Sequence, residues 1–544
     1  MLSSRTVVPI PDHGVIVRGT GKHRYVYKVT RTFRNDKGQP TNTRVSIGRV
    51  DEGSGMLVPN DAYWQHYLAT DIQMLPTPDS IRSVGASFVV REVIQSLGLS
   101  QMLTDALGTK RAHQGLTVIE YMVCRGNVMD HLKSWCQDHT WDQAPVSAQQ
   151  ASRLFGSLTH GEKMEFFKRW VAAQPKSSYL AYDVTSFSSY AKGITDLEWG
   201  YNRDGDRLPQ INLGCYLNQD CGLPVFYLTY PGSIVDTSHL RYMMAYNVDL
   251  GIKDVGFVMD KGFCSTANIG WMHDQRLNVV LAAEIRHKAI RDAIDQVRDQ
   301  IISMRYLTPQ GVYARCVHGR FYGVTSTVHI YHDPHLGERQ RQDLFRIVEN
   351  AEYTLEQLET LSQREAKRYR TWFTIELAPD GRFTYARDYD KIDHVARNNG
   401  FFVVLTNTDL DSAAVLDIYR RKDTIEKGFD EIKNHIDMKR LRTHDDATTE
   451  GKLFLAFIAL IITCRIQTML GPLLKQKSWS KNTVINHLDK IRVITTSNGA
   501  RLMNPITKSQ RLILKQLNLT EEDIKAYITS THPHSLYVSK TGEI

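Results

Sequence analysis

Residues 24–49 alternate apolar and polar side chains on both sides of the segment NDKG at 35–38. Alternation with a period of two is typical of strands, and Asn, Asp and Gly between two such runs are typical of a tight turn. The pattern therefore predicts a β-hairpin. Its polar face would carry Lys28, Arg31, Arg34, Lys37 and Arg44. Such a face suits contacts with phosphates, although an ordinary solvated hairpin face carries charge as well.

Between about residues 80 and 175 the apolar positions change to helical spacing, as around 89–99, which predicts a small helical domain. Short apolar runs then predict five strands. They cover about 179–185, 211–217, 225–230, 255–260 and 279–285. One helix from about Ser238 to Leu250 separates the third strand from the fourth, and another from about Ala267 separates the fourth from the fifth. The order βββαβαβ predicts a mixed sheet with helices packed against it.

Residues about 290–395 interrupt this order with charge-rich, strand-like segments and a strongly polar helix near 354–370, which together indicate an insertion. An apolar strand, 401–406, and a long helical stretch from about 411 to 436 follow. The longest apolar run, Leu453 to Cys464, has 12 residues. Since a bilayer needs roughly 18 to 20, this run predicts a buried helix.

These changes of pattern predict a mixed α/β protein divided into six regions. They are a basic β-rich N-terminal region (1–75), a helical domain (76–175), the first part of a sheet-containing core (176–290), an insertion (291–398), the second part of the core (399–470) and a basic helical C-terminal region (471–544). A periodic helix near 507–517 belongs to the last region.

Charge is distributed unevenly along the 544 residues, which carry 67 Lys plus Arg and 59 Asp plus Glu. Residues 1–50 hold ten basic and two acidic side chains, and residues 471–544 hold eleven and five. The middle of the chain is consequently net acidic, at −6. A mildly acidic body between two basic ends indicates a polyanionic partner, and nucleic acid is the first candidate.

Composition excludes some other classes. The 42% hydrophobic content supports real cores and excludes disorder as the main state. The first residues show no secretory signal, so we expect an intracellular protein. Seven scattered cysteines without a CxxC pair argue against a disulfide framework and a zinc ribbon.

Two of the predicted strands end in aspartate. Asp183 follows the run SYLAY, and Asp260 follows DVGFVM. Strand ends of open sheets face the crevice where ligands bind, and two neighbouring carboxylates can share a divalent cation. Acidic residues at strand ends are also common as turn starters, so the pair alone leaves both interpretations open.

The helical stretch 411–436 adds a third carboxylate. Tyr419, Lys422, Glu426 and Lys433 follow one another at offsets of 3, 7 and 14 residues from the first. At about 100° per residue they would lie within about 60° of arc on one helix face. This face would present a metal-binding carboxylate beside cations that contact phosphates. An exposed helix with Glu and Lys at i, i+4 spacing is the alternative.

In this order, the three elements resemble the DDE transposases of bacterial insertion sequences, in the group with a Tyr-x2-Arg-x3-Glu-x6-Lys signature. The matching residues are Tyr419, Lys422, Glu426 and Lys433, with Lys422 in place of the group's Arg. The stretches WGYNRDGDRLPQINLG, PVFYLTYPGSIVDTSHL, DKGFCSTANI and GFFVVLTNT are also similar to this group. The resemblance runs from about 178 to 465.

The resemblance implies a ribonuclease-H-like core, βββαβαβ-α, interrupted by a β-rich insertion before the last acid. Asp183, Asp260 and Glu426 would bind two Mg²⁺ ions, with Mn²⁺ as a substitute. Asp183 would bridge both ions. Tyr419, Lys422 and Lys433 would position backbone phosphates. The implied activity is DNA cleavage and strand transfer in cut-and-paste transposition.

The implied partners are double-stranded DNA, as terminal inverted repeats and target, and a second copy of the chain in a synaptic homodimer. The implied location is the bacterial cytoplasm, at the nucleoid and without membrane association. A nuclease without strand transfer and a catalytically inactive DNA-binding protein are the alternatives. Arg203 and Arg207 could contact DNA or form a basic surface turn, and Tyr322, Tyr331 and Trp372 could stack on a base or belong to the core.

Overall fold

The computed structural model describes residues 7–68, 78–139, 144–202, 204–497 and 499–529. The strands are β1 (Val15–Arg18), β2 (Tyr25–Arg34), β3 (Pro40–Val50), β4 (Leu57–Pro59), β5 (Pro78–Ser83), β6 (Tyr179–Ser188), β7 (Gln210–Asn218), β8 (Leu223–Pro231), β9 (Gly256–Met259), β10 (Val279–Ala283), β11 (Tyr313–Phe321), β12 (Val324–His332), β13 (Phe373–Leu377), β14 (Phe383–Arg387), β15 (Phe401–Thr406), β16 (Arg492–Thr496) and β17 (Arg501–Met503).

The helices are α1 (Asp61–Tyr63), α2 (Gly85–Ser96), α3 (Leu99–Leu107), α4 (Thr109–Arg125), α5 (Leu132–His139), α6 (Ala148–Ser157), α7 (His160–Ala173), α8 (Asp236–Leu250), α9 (Thr266–Asp274), α10 (Lys288–Ile301), α11 (Pro334–Glu356), α12 (Gln363–Tyr369), α13 (Tyr389–Ala396), α14 (Ser412–Arg420), α15 (Asp423–Asp430), α16 (Asp446–Lys477), α17 (Lys481–Leu488), α18 (Lys508–Gln516) and α19 (Glu521–Thr529). Helices α2 to α7 lie in the segment whose spacing predicts helices, and α18 is the predicted helix near 507–517.

The chain forms two compact units, Met1–Ile81 with Ile494–Leu502 and Arg82–Val493 with Met503–Ile544. The first unit contains an antiparallel sheet in the order β1-β2-β3-β4. Its small core consists of Val26, Ile47, Val50 and Leu57. The predicted hairpin is confirmed as β2 and β3.

The basic side chains of this hairpin do not share one face. A bulge immediately before Arg31 shifts the register, so Arg31 lies on the same face as Lys28. Arg34 and Arg44 lie on the opposite face, and Lys37 lies in the turn. The prediction of a single basic face is therefore wrong. Lys28, Arg31 and Arg34 are spaced three residues apart, which alternates faces in a regular strand, and the bulge moves Arg31 to the face of Lys28 but leaves Arg34 opposite.

A mixed sheet of eight strands forms the centre of the second unit, in the order β11-β12-β15-β10-β9-β6-β7-β8. β9 runs parallel to both β6 and β10, and the other neighbours are antiparallel. Strands β6 to β10 are the five predicted strands, and α8 and α9 are the predicted crossovers that parallel neighbours require. The predicted mixed α/β fold is confirmed.

The segment 291–398 differs from the predicted β-rich insertion. β11 and β12 form a hairpin that continues the central sheet through β15. Most of the other residues are helical. The Asp333 side chain caps α11 by accepting backbone hydrogen bonds from His335 and Leu336, and Pro334 occupies the first helical turn. The polar helix predicted near 354–370 is in fact the end of α11 and the separate α12.

Helix α16 contains the apolar run 453–464. By length and composition alone it could cross a membrane. In the folded chain it packs against α4, α6 and β8, and every residue from 453 to 464 is buried. The predicted buried helix is confirmed as the central core helix of the second unit.

A single lysine of α16, Lys452, is buried in this core. Its Nζ donates to the backbone carbonyl of Leu441 at 2.9 Å and lies 3.5 Å from Asn127 Oδ1. Burial, reinforced by the charge of Arg442, lowers the pKa of Lys452 to about 7. The folded protein therefore disfavours the protonated lysine, which the unfolded chain retains up to about pH 10.

We predict that this lysine makes stability depend on pH. Between pH 7 and about 10 the unfolded chain binds more protons than the folded one, so the free energy of unfolding should rise with pH by up to about 1.4 kcal/mol per unit. Lys452→Met should remove this contribution. Urea unfolding of both proteins across that range measures the two slopes, and equal slopes would contradict the assignment.

Candidate active site

Asp183 and Asp260 lie side by side in the central sheet. β6 and β9 are parallel, and Ala181 pairs with Val258. Two residues further along both strands, this register places Asp183 opposite Asp260, and side chains at equivalent positions point to the same side of a sheet. Asp260 directly follows β9, as predicted. Asp183 instead lies inside its strand, because β6 continues to Ser188 along β7.

Both carboxylates are half-buried and held by the backbone. Asp183 Oδ1 accepts a hydrogen bond from the N–H of Val184 at 2.8 Å. Asp260 Oδ1 accepts one from the N–H of Lys261, also at 2.8 Å, as the cap of a short 3₁₀ turn. These bonds restrict the rotation of each carboxylate.

The stretch 411–436 is not one continuous helix. α14 ends at Arg420 and α15 begins at Asp423. Between them the N–H of Lys422 bonds to the carbonyl of Tyr419 at 3.0 Å, three residues back, as in a 3₁₀ turn. After α15 the chain continues as the π-helical turn Glu431–His435. The segment 411–427 contains neither Gly nor Pro, so the sequence gives no sign of the break.

The break leaves three of the four predicted residues around the aspartates. Tyr419 donates its hydroxyl to Asp260 Oδ1 at 3.3 Å. Lys422 Nζ lies 2.9 Å from Glu426 Oε1 and 3.9 Å from Asp183 Oδ2. The Lys422 side chain is only 5% exposed, whereas that of Glu426 is 60% exposed. One buried ammonium group therefore links a carboxylate of β6 to the carboxylate of α15.

Burial and the neighbouring carboxylates shift the pKa values of Lys422 and Tyr419. Burial lowers the pKa of Lys422, but the charge of Asp183 and the hydrogen bond to Glu426 outweigh burial and raise it. Burial and then the charge of Asp260 raise the pKa of Tyr419 well above its ordinary value. At neutral pH the site thus holds a charged ammonium and a protonated phenol among three carboxylates.

Lys433 does not join this group. Its Nζ donates to both carboxylate oxygens of Asp204, at 3.0 and 2.9 Å, in the loop between β6 and β7. The lysine is buried and the aspartate nearly so. The prediction from 100° per residue is wrong for Lys433 because it assumes one continuous helix. The helix is broken at 421–422, and a π-helical turn begins at Glu431.

Comparison with known proteins shows the family to which this chain belongs. The family of transposase DDE domains matches residues 174–462, more than half of the chain. The chain belongs to the DDE transposase family. No curated protein matches the sequence. A solved piggyBac transposase synaptic complex with hairpin DNA is similar to the transposase with a TM-score of 0.34 and 9% sequence identity, over 78% of this chain and 74% of that chain.

A second cluster of potential metal ligands lies on the transposase's π-helical turn. Ligand atoms of Asp430, Glu431 and His435 lie within 4.8 Å of one another. Glu431 is already engaged, since Gln467 donates to its Oε1 and Lys481 Nζ lies 3.4 Å from its Oε2. The side chains of Glu431 and Lys481 are buried, at 6% and 1% exposed. This cluster therefore anchors the π-helical turn to α16 and α17.

The remaining predicted DNA contacts of the transposase lie apart from the carboxylates in sequence. Arg203 lies outside the described residues, and Arg207 is exposed. In the hairpin of the first unit, Lys28 is half-buried, with Nζ 4.2 Å from the centre of the Tyr67 ring. The exposed hairpin cations are Arg31, Arg34, Lys37 and Arg44.

The aromatic residues predicted to stack on a base mainly belong to cores. Tyr331 is fully buried, with its ring 4.8 Å from that of Phe402. Tyr322 is buried against His287 at 4.2 Å, and Trp372 is half-buried in the small core of the insertion. The stacking hypothesis is therefore wrong for Tyr322 and Tyr331.

We predict that removing one partner of the buried Glu431–Lys481 pair is strongly destabilising. Lys481→Met leaves a buried carboxylate without its cation, which should lower the free energy of unfolding by about 3–5 kcal/mol. Adding Glu431→Gln removes the second charge and should recover most of this loss. Thermal unfolding of both variants measures the effect.

The control is Lys525→Met, which removes an exposed pair with Glu521 and Glu522 and should leave the free energy of unfolding almost unchanged. A double variant as unstable as Lys481→Met would show that packing, and not the unpaired charge, causes the loss.

Proposed function

We propose that Asp183, Asp260 and Glu426 form the metal-binding catalytic triad of a bacterial insertion-sequence transposase. It binds the element's terminal inverted repeats, cleaves DNA there, and transfers the 3′-hydroxyl ends to target DNA. The observation that carries the proposal is the position of Asp183 on β6 and of Asp260 directly after β9, its parallel neighbour, with Lys422 connecting Asp183 to Glu426.

The order of the central strands supports a ribonuclease-H-like core. From β8 the order β8-β7-β6-β9-β10 has three antiparallel strands followed by two strands joined through crossover helices. The first acid lies on the central β6 and the second directly after the adjacent β9. Glu426 follows 166 positions after Asp260, across the segment 291–398.

The residues present fit divalent cations. Carboxylate oxygens are the hard ligands that Mg²⁺ prefers, and Mn²⁺ accepts the same ligands. Three carboxylates around one ammonium group attract cations strongly. The same negative charge outweighs burial and raises the pKa of Lys422. Two bound ions would supply activation of the attacking oxygen and stabilisation of the leaving oxygen. Asp183, central in the group, would contact both ions.

The neighbouring side chains hold the carboxylates in place. Tyr419 orients Asp260 through its hydroxyl, and Lys422 draws the exposed Glu426 toward β6. Lys422 stands where the Tyr-Arg-Glu-Lys group has Arg, so it offers a single point charge in place of a planar fork. With the carboxylates neutralised, Lys422 is the nearest cation for a backbone phosphate. Lys433 acts instead through Asp204, as a positioning residue for the β6–β7 loop.

Outside the triad, basic side chains bind the DNA. The hairpin residues Lys28, Arg31, Arg34, Lys37 and Arg44 and the exposed Arg207 contact DNA phosphates, which makes affinity decrease with salt. Two ends must be brought together for cut-and-paste transposition, which favours a homodimer in a synaptic complex. The protein acts on the bacterial nucleoid in the cytoplasm.

We predict that Asp183→Asn, Asp260→Asn and Glu426→Gln each reduce cleavage at the element ends by at least about 100-fold, the loss typical of removing one electrostatic group from a catalytic site. Binding to end DNA should remain within about twofold. Cleavage assays with Mg²⁺ or Mn²⁺ and gel-shift assays measure the two properties. Any variant that cleaves normally would remove its residue from the triad.

The matched control is Asp274→Asn, at a carboxylate that is 78% exposed at the end of α9. It should leave cleavage unchanged. Supplying pre-cut ends with free 3′-hydroxyls and a target plasmid separates transposition from simple hydrolysis. Cleavage without joining would reduce the proposal to a metal-dependent nuclease, and binding without cleavage in any divalent metal would indicate an inactive DNA-binding protein.

A further inference from the structure

The loop between β6 and β7, residues 189–209, exposes three aromatic side chains. Tyr190 is 76% exposed, Trp199 67% and Tyr201 82%. Isolated exposed aromatic residues are common on protein surfaces, but three within 12 positions of one loop form an unusual concentration. We call these three residues the aromatic platform.

The backbone beneath the platform is tightly fixed. Gly200 packs so closely on Gly232 that a Cβ at Gly200 would lie 1.8 Å from the Gly232 carbonyl oxygen. The buried Gln210 donates its Nε2 to the carbonyl of Tyr201 at 2.9 Å. Asn202 donates to Ser188 Oγ at 3.0 Å, at the end of the strand that carries the first aspartate. Exposed rings on a fixed backbone lose little conformational entropy when a ligand binds.

Two ion pairs connect this loop to the segment that follows Glu426. Asp204 accepts from Lys433 on the π-helical turn, and Asp206 accepts from Arg440 at 2.8 Å. The Arg440 guanidinium also lies 6.0 Å from the centre of the Tyr190 ring. The platform is therefore built onto the elements that carry Asp183 and Glu426.

The charges around the platform suit a polyanion. Two of the four acidic side chains in the loop are paired with cations, Asp204 with Lys433 and Asp206 with Arg440, and Glu198 accepts a hydrogen bond from the neutral Ser233. Lys192 and Arg207 are exposed in the same loop. Aromatic rings between exposed cations are the arrangement that binds single-stranded nucleic acid without sequence preference.

We propose that the aromatic platform stacks against unpaired bases of the DNA strand next to the scissile phosphate. This inference rests on the proposed function of the same site and locates its base contacts in the β6–β7 loop. Trp199 and Tyr201, on either side of Gly200, supply the rings. Lys192 and Arg207 neutralise the adjoining phosphates.

The test compares two DNA probes bound by the full-length protein in EDTA, so that no cleavage occurs. One is a blunt duplex, and the other is the same duplex with a single-stranded 3′ extension containing the fluorescent base 2-aminopurine. Trp199→Ala and Tyr201→Ala should each weaken binding of the extended probe by about 5- to 100-fold, the range for losing one base–aromatic stack. Binding of the blunt probe should change by less than about twofold.

Trp199→Phe and Tyr201→Phe keep a ring and should retain most of the affinity and the quenching of 2-aminopurine. Tyr201→Leu keeps an apolar side chain without a ring and should behave like Tyr201→Ala. The matched control is Tyr353→Ala, at a tyrosine of α11 that is 66% exposed, and it should change neither probe. If a Trp199 variant fails to fold, the three Tyr201 substitutions decide the question.

Equal weakening of both probes, or full binding by Tyr201→Leu, would overturn base stacking. Full binding by Tyr201→Leu would show that an apolar contact without a ring is sufficient at this position. The proposed function is tested separately by cleavage in Mg²⁺ or Mn²⁺. A wild-type protein that never cuts DNA, yet quenches the probe in a Trp199-dependent way, would refute the triad and leave the platform standing.

Discussion

Electrostatic repulsion between Asp183 and Asp260 is the constraint around which the catalytic part of the molecule is arranged. Like charges on neighbouring strands repel each other more strongly at a protein surface than in bulk water. The fold accepts this cost, because Asp183 lies on β6 and Asp260 directly follows β9, the parallel neighbour of β6. Lys422 reduces the repulsion as a buried cation between β6 and Glu426. The proposed divalent metal would reduce it further.

The segment that carries Glu426 is fixed from its C-terminal side. Glu426 itself is exposed, and α15 is a short helix whose own hydrogen bonds would hold it only weakly. The following π-helical turn is anchored by two buried ion pairs, Lys433 with Asp204 and Glu431 with Lys481. Buried pairs add little net stability, but each enforces one arrangement, because separating the partners leaves an unpaired charge. The position of Glu426, the proposed third acid of the triad, is thus fixed through buried residues nearby in sequence.

Local pattern was sufficient for much of this fold. Apolar runs located β6 to β10 and β15, because buried strands need continuous hydrophobic residues, and the spacing between them indicated which pairs required helical crossovers. Patterns failed where a long-range contact determines the outcome. The turn at 421–422 has neither Gly nor Pro, the partner of Lys433 is 229 residues away in sequence, and the bulge before Arg31 depends on pairing with β3. A helical wheel or an alternation count contains none of this information.

Attracting DNA requires positive charge, whereas the proposed catalysis on DNA requires a cluster of carboxylates in the same chain. A phosphate approaching Asp183, Asp260 and Glu426 without a cation would meet net negative charge, and the middle of the chain is acidic as a whole. The basic ends can attract a polyanion at a distance of about a Debye length regardless of what the carboxylates bind. The proposed catalytic step requires the carboxylates to be neutralised. In the proposed mechanism metal occupancy would decide whether bound DNA can reach the site, so binding without metal and cleavage with metal would be two separable properties of the same protein.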